Sequence, residues 1–124
     1  MPIVAQYSLE LLKDTLKRLR DEGYKSIAVI TRTQAQADSL STKLENIYRL
    51  DGGEADLNYE TTDNALGCYQ LVKGMEFDAV IVVWPDVELS DAERRRLYTA
   101  CSRALHSVTL LGGGALIRDL GIVL

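Results

Sequence analysis

The chain has 124 residues, of which 47% are hydrophobic and 26% charged, and its formal net charge is −4. This composition is typical of one globular domain, expected to span residues 1–124, and no apolar run approaches the roughly 20 residues of a membrane span. The amino terminus lacks the pattern of a signal peptide, which favours a cytoplasmic location. The acidic balance argues against a free-standing nucleic-acid-binding protein, so any contact with a strand must be local or shared with another domain.

The first two elements follow from leucine spacing and from β-branched residues. Leucines recur at steps of three and four between positions 9 and 19, which predicts an amphipathic helix over about residues 8–22 with Gly23 as its stop. The apolar run 26–31 is of the kind that is buried between helices in a parallel sheet. It is predicted to be a strand.

The next segment combines a helix start signal with a helical apolar pattern. Thr33 and Gln36 form a capping-box pattern, and apolar residues at positions 37, 40, 44 and 47 continue it. A helix is therefore expected over about residues 34–49. The polar, glycine-containing stretch that follows predicts a loop, with one weak edge strand near Leu57 to Tyr59.

The second half is predicted to hold two buried strands over 66–70 and 79–84, a helix over about 90–105 and a last strand over 107–111. Ser90 and Glu93 form a second capping-box pattern at the start of that helix. The apolar segment 115–124 is too short to assign.

Alternating strands and helices predict βαβ crossovers, and hence a three-layer α/β domain with a mainly parallel sheet. Arg32 follows one predicted strand, Lys73 and Glu76 follow another, and Arg103 ends the helix before the last strand. These side chains are therefore expected to converge on one edge of the sheet, where α/β proteins bind ligands.

Three stretches resemble helicase motifs and occur in the order that the family has them. KGMEFD (Lys73 to Asp78) and LYTACSRALH (Leu97 to His106) resemble motifs V and VI of superfamily 1 helicases of the UvrD type, and IAVITRTQAQ (Ile27 to Gln36) resembles motif IV. The sequences of these stretches are most similar to those of the HelD, or helicase-IV-like, branch. The resemblance covers about residues 8–112, and it implies a RecA-like fold corresponding to the second motor domain.

The resemblance also implies roles for individual residues. Arg103 and Arg32 match arginines that reach the γ-phosphate of ATP, a task that suits a planar cation which is always protonated. Glu76 matches the carboxylate that binds the ribose, and Gly74 would allow a positive φ or a close approach to a phosphate. Lys73 would contact the nucleic-acid backbone. Gln70 occupies the region where UvrD-like motif V carries a histidine, a departure that bears on the strand contact.

Half of an ATP site is missing from the sequence. No G-x-x-x-x-G-K-[ST] motif and no Walker B Asp-Glu pair occurs. ATP and Mg²⁺ are therefore expected to bind only together with an amino-terminal RecA-like domain, and no metal site is expected in this chain. Only 36 residues separate the motif IV and motif V stretches, which leaves no room for the large subdomain that UvrD-like enzymes insert there.

Several other residues favour structural interpretations. Arg94 to Arg96 are expected to be a solvated face, although Arg96 could support the site or an acidic partner, and His106 has no partner at catalytic spacing. Cys68 and Cys101 are expected to be reduced core thiols, and Tyr98 is expected to pack beneath the motif VI helix.

Three functions remain open on the sequence alone. The first is a second motor domain of a superfamily 1 helicase-like ATPase that couples hydrolysis to movement along DNA or to remodelling of RNA polymerase. The second is a non-catalytic interaction domain that binds RNA polymerase or DNA. A flavodoxin-like ligand domain is the weakest, because no phosphate-binding loop follows the first predicted strand.

Overall fold

A six-stranded sheet, all of whose strand pairs are parallel, organises the computed structural model, which describes residues 3–53, 56 and 63–120. Its strands are β1 (Ile3–Gln6), β2 (Ile27–Thr31), β3 (Ile47–Arg49), β4 (Asn64–Cys68), β5 (Phe77–Val83) and β6 (Ala104–Gly112). The helices over the described residues are α1 (Leu9–Asp21), α2 (Gln34–Ser41), α3 (Asp91–Cys101) and α4 (Gly114–Asp119). The strand order is β1-β6-β5-β2-β4-β3. The predicted α/β fold with a parallel sheet is confirmed.

Two apolar layers bury the two faces of the sheet. On one face, α1 and α2 pack on alternate residues of the central strands, with Leu12, Leu19 and Ile81 fully buried. On the other face, α3 and α4 cover the intervening residues, including Phe77 and Trp84. Because both faces are covered, β2 and β5 are almost continuously apolar, as expected for central strands of a parallel sheet.

Caps and leucine spacing explain the first helix. The Ser8 hydroxyl accepts a hydrogen bond from the Leu11 amide at 3.0 Å, which satisfies one of the free donors at the start of α1. The chain leaves the helix through Gly23, whose φ of +97° suits glycine. The helix predicted over residues 8–22 is therefore confirmed to within one residue at each end.

The connection between β4 and β5 is short and decides where several predicted site residues lie. Residues 69–76 cross from the carboxyl edge of the sheet, where β4 ends, to the amino edge, where β5 begins. Val72 anchors this crossover because it is fully buried against the α3 side of the sheet. Gln70 and Glu76 consequently lie towards opposite edges.

The helix predicted over 34–49 is wrong in its second half. The capping box at Thr33 forms as expected, but α2 ends at Ser41, and the chain turns through Asn46, whose φ is +54°. Residues Ile47–Arg49 then form β3, which pairs with β4. Here β propensity and pairing with a neighbouring strand outweigh an apolar pattern that also fitted a helix.

The other differences concern strand ends. Strand β1 was missed; it is an edge strand whose partner is β6. The strand predicted over 66–70 lies two residues earlier, the strands predicted over 79–84 and 107–111 begin earlier, and the helix predicted to reach Leu105 ends at Cys101. The predicted edge strand at Leu57 to Tyr59 lies outside the described residues. None of the helices in the described part of the chain is long and apolar enough to cross a membrane.

Candidate functional site

A buried carboxylate sits at the carboxyl edge of the sheet. Arg32, directly after β2, donates from Nε to both carboxylate oxygens of Glu93 at 3.1 and 3.0 Å, and from Nη2 to Oε1 at 2.6 Å. The Glu93 side chain is 7% exposed and that of Arg32 is 30% exposed. Charge-assisted bonds of this kind are about twice as strong as neutral ones, so the pair fixes the loop after β2 against the first turn of α3.

A second arginine shares the same carboxylate. Arg96 donates from Nη1 to Oε1 of Glu93 at 2.5 Å, one turn along α3. The hydrogen bonds from Arg32 lower the pKa of Glu93 to about 2 against the opposing effect of burial, with further contributions from Arg96 and from the nearby indole of Trp84. The Trp84 indole nitrogen is buried and has no hydrogen bond of normal geometry to the described residues. Two cations against one anion leave this cluster with a net positive charge.

The cluster faces a polar pocket of about 290 Å³, lined by Arg32, Thr33, Gln34, Tyr69, Gln70 and Arg96. Gln34 is already engaged, because its amide nitrogen donates to the Leu50 carbonyl and its amide oxygen accepts from the Cys68 amide. Tyr69 leans on Trp84, with ring centroids 5.9 Å apart. The pocket therefore brings together two predicted site residues, Arg32 and Gln70. Its positively charged side is held in place by the hydrogen bonds to Glu93.

The amino edge holds a different pair. The Phe77 amide donates to the Arg103 carbonyl at 2.9 Å, and Phe77 is in register with Ala104. Glu76 and Arg103 thus immediately precede the adjacent strands β5 and β6, and adjacent strands lie about 4.8 Å apart in a sheet. Arg103 donates from Nη2 to the Ser102 hydroxyl, while its buried Nε has no hydrogen-bond partner among the described residues.

Two more predicted residues precede Glu76 on the crossover. Gly74 has a φ of +82°, and a Cβ built there would meet nothing within 4 Å. The expected positive φ is confirmed, and the position is open to an approaching group. Lys73 beside it is exposed.

The expectation that all the predicted site residues converge on one edge is wrong. Because every strand pair is parallel, Arg32 after β2 lies at the carboxyl edge, whereas Glu76 before β5 and Arg103 before β6 lie at the amino edge. The five residues of β2 separate these edges by about 16 Å. Arg103 precedes β6 instead of following a strand, and the sequence argument overlooked that difference.

Glu93 is the site residue that the sequence argument assigned to a different role. The Ser90 hydroxyl accepts from the Glu93 amide, but the carboxylate binds the two arginines instead of completing the capping box. The spacing of Glu93 and Arg96 at i and i+3 is a local signal for the nearer contact that the sequence argument did not use. The link to Arg32 joins residues 61 positions apart, and no local pattern encodes it.

The remaining residues singled out in the sequence lie outside both regions. Arg94 and Arg95 are exposed as expected, whereas Tyr98 is 74% exposed, so the prediction that it packs beneath its helix is wrong. Cys68 and Cys101 are free, and burial raises the pKa of Cys101 to about 11. The described residues contain no group of three or more metal-ligating side chains.

Comparison with known proteins agrees with the fold and with part of the motif assignment. Residues 68–111 match the family model of the UvrD-like helicase C-terminal domain. The crystal structure of the C-terminal domain of a possible DNA helicase from Lactobacillus plantarum WCFS1 superposes with a TM-score of 0.74 and 27% identity, covering 92% of this chain and 73% of the other. No curated protein matches the chain.

The chain has the fold of a helicase C-terminal domain. The matched segment includes Gln70, Lys73, Gly74, Glu76 and Arg103, and Arg32 lies outside it. The matched segment thus spans both residues of the amino-edge pair and, of the Arg32 cluster, Glu93 and Arg96.

Proposed function

We propose that the chain is the second RecA-like domain of a superfamily 1 helicase-like ATPase. In this proposal the amino edge completes an ATP site whose remaining half belongs to an amino-terminal RecA-like domain, and the carboxyl edge contacts a nucleic-acid strand. The observation that carries the proposal is the pairing of β5 with β6, which brings Glu76 and Arg103 together.

The amino-edge residues fit a nucleotide. Arg103 is always protonated and its side chain is partly exposed, so its guanidinium can donate to a phosphate oxygen. Glu76 is an exposed carboxylate that can accept hydrogen bonds from ribose hydroxyls. The open backbone at Gly74 leaves space beside them. Bound ATP would supply the transferable γ-phosphoryl group, and Mg²⁺ would be held by the domain that brings the Walker motifs.

Arg103 would act where negative charge develops. A guanidinium that is fixed before the reaction stabilises charge on the transferring phosphoryl group without reorganisation at that moment. It lies two residues beyond the end of α3, a helix that is fixed to the sheet because its Leu97 and Ala100 are buried in the core. Such support is what a catalytic arginine requires.

The carboxyl-edge pocket fits a phosphodiester better than a second γ-phosphate contact. Arg32 was predicted to join Arg103 at ATP, but it lies about one strand length away, beside Gln70. We therefore assign Arg32 and Gln70 to the nucleic-acid strand, with Lys73 as an additional backbone contact on the crossover. Membership of the HelD-like branch and binding to RNA polymerase rest only on the resemblance of the motif sequences, and both stay predictions.

Calorimetry on the isolated chain tests the half-site. We expect weak ATP binding and no measurable hydrolysis, because the groups that hold Mg²⁺ and the β-phosphate are not in this sequence. Tight, Mg²⁺-dependent ATP binding by the 124-residue chain would contradict the proposal that it holds only half of an ATP site. Normal hydrolysis by a protein that carries this domain with Arg103→Ala would favour the non-catalytic alternative.

A further inference from the structure

We propose that Glu93 is a positioning residue that holds Arg32 and Arg96 as a two-guanidinium binding wall for a nucleic-acid phosphate. The inference rests on the proposed nucleic-acid contact at the carboxyl edge. It adds Arg96 to the binding residues and gives Glu93 a role, and neither assignment follows from the motif V and VI resemblance.

The hydrogen bonds show how the carboxylate orients both cations. Glu93 takes Nε and Nη2 of Arg32 and Nη1 of Arg96. The remaining donors, Nη1 of Arg32 and Nε and Nη2 of Arg96, make no hydrogen bond to the described residues, and both side chains line the pocket. One edge of each guanidinium is therefore bound to Glu93, and the N–H groups on its other edges are free to bind a ligand.

The charge balance favours an anionic ligand. The cluster carries two positive charges against one negative charge, and Glu93 is the member that is withdrawn from solvent. A phosphate between the free donors would accept bidentate hydrogen bonds, the geometry for which arginine is preferred over lysine. Gln70 and Tyr69 complete the polar lining without adding negative charge.

A fixed orientation matters because two long side chains lose rotamer freedom when they bind one phosphate. If Glu93 already holds both, that entropy is lost during folding and binding costs less. A purely electrostatic effect has the opposite sign, since Glu93→Gln removes a negative charge from the pocket and should strengthen anion binding. The sign of the affinity change therefore separates positioning from simple charge.

The experiment is an NMR titration of the isolated chain with a short deoxythymidine oligonucleotide at low salt. The variants are Glu93→Gln, Arg96→Lys and, as a matched control on the exposed face of the same helix, Arg95→Lys. We expect Glu93→Gln to bind about tenfold more weakly despite its more positive pocket, which is the lower end of the loss seen when the hydrogen-bond partner that orients a metal ligand is mutated. Arg96→Lys should also bind more weakly because lysine keeps the charge but loses the planar fork, and Arg95→Lys should match the wild type.

The NMR signal of the wild-type Arg32 Nε–H group provides a second measurement. If the cluster were only structural, this signal would not change when oligonucleotide is added. It should report the carboxylate bond before titration and shift as oligonucleotide is added. Equal or tighter binding by Glu93→Gln, with the wild-type pocket responding, would overturn the positioning role and leave the nucleic-acid contact standing. A wild-type chain whose Arg32 and Gln70 signals do not respond would overturn both. If Glu93→Gln does not fold, equal affinities for Arg96→Lys and Arg95→Lys would decide against the inference.

Discussion

The candidate site residues at the two edges of the sheet differ in how completely their charges are satisfied. At the carboxyl edge, Glu93 is buried and bound by two arginines from two different elements. At the amino edge, Glu76 is exposed, and Arg103 has one side-chain hydrogen bond, to its neighbour Ser102, among the described residues. A self-contained cluster can bind a ligand by itself, whereas a half-satisfied pair is what a site shared with another domain would leave on one partner.

Helix α3 connects these edges. It begins with the Glu93 turn at the carboxyl edge and ends two residues before Arg103 at the amino edge. Its buried face, with Leu97 and Ala100, fixes it to the sheet. A change at one edge that moves this helix as a body would therefore reach the other edge, so the comparison can be tested by perturbing each end separately.

The largest expected effect is at the amino edge. In a protein that carries this domain together with an ATP-binding domain, Arg103→Ala should lower kcat by about 10³ or more, with a smaller change in ATP affinity, as for arginine fingers. The thermal midpoint should barely move, because the side chain has few bonds to lose. Steady-state hydrolysis and thermal unfolding of the same variant measure both quantities.

Arg95→Ala provides the control for that experiment, since Arg95 is exposed on the same helix. Its kcat should stay normal. Near-normal hydrolysis together with a lowered thermal midpoint in Arg103→Ala would instead make Arg103 a structural residue. The amino edge would then not be half of an ATP site.

The next effect is a pH dependence at the carboxyl edge. Glu93 has a folded-state pKa of about 2 against an ordinary value of 4.5, so its ionised form stabilises the fold. That contribution is complete above about pH 4.5 and is lost as the pH falls towards 2. Its size is at most about 3 kcal/mol, and less because both arginines remain partly in water.

Thermal unfolding of the wild type and Glu93→Gln from pH 6 down to about pH 2 measures this window. The wild type should be the more stable protein at pH 6, and the gap should close as the pH approaches 2, because glutamine does not titrate. A gap that stays constant over the whole range would show that the carboxylate charge does not stabilise the cluster.

Much of this architecture could be predicted from the sequence, and the failures have physical causes. Buried strands such as β2 and the cap at Thr33 are encoded locally, so they were predicted well. Strand β3 was missed because its pairing with β4 is not local. The bond between Arg32 and Glu93 depends on which strands are neighbours, and that order appears only when the sheet is assembled.

A smaller effect is expected at Lys73, which lies on the crossover between the edges. Lys73→Ala should weaken oligonucleotide binding by a few-fold at low salt and reduce the slope of log affinity against log salt by about one, because one phosphate contact is lost. Lys43→Ala is the matched charge control, since Lys43 is exposed beside α2 and does not line the 290 Å³ pocket. An unchanged slope for Lys73→Ala would remove Lys73 from the strand contact.

The smallest expected effect concerns Tyr98, in the last turn of α3. Its side chain is 74% exposed, so Tyr98→Ala should change the free energy of unfolding by less than about 0.5 kcal/mol. Leu97→Ala is the neighbouring comparison, because Leu97 is buried beneath the same helix and its truncation should cost about 2–5 kcal/mol. The free energies of unfolding of both variants, measured in urea, show whether α3 is stabilised only by its buried face or also by contacts of its outer face. A loss at Tyr98 comparable to that at Leu97 would mean that the outer face of α3 also packs against the domain, and the helix could then not carry movement between the two edges as a body.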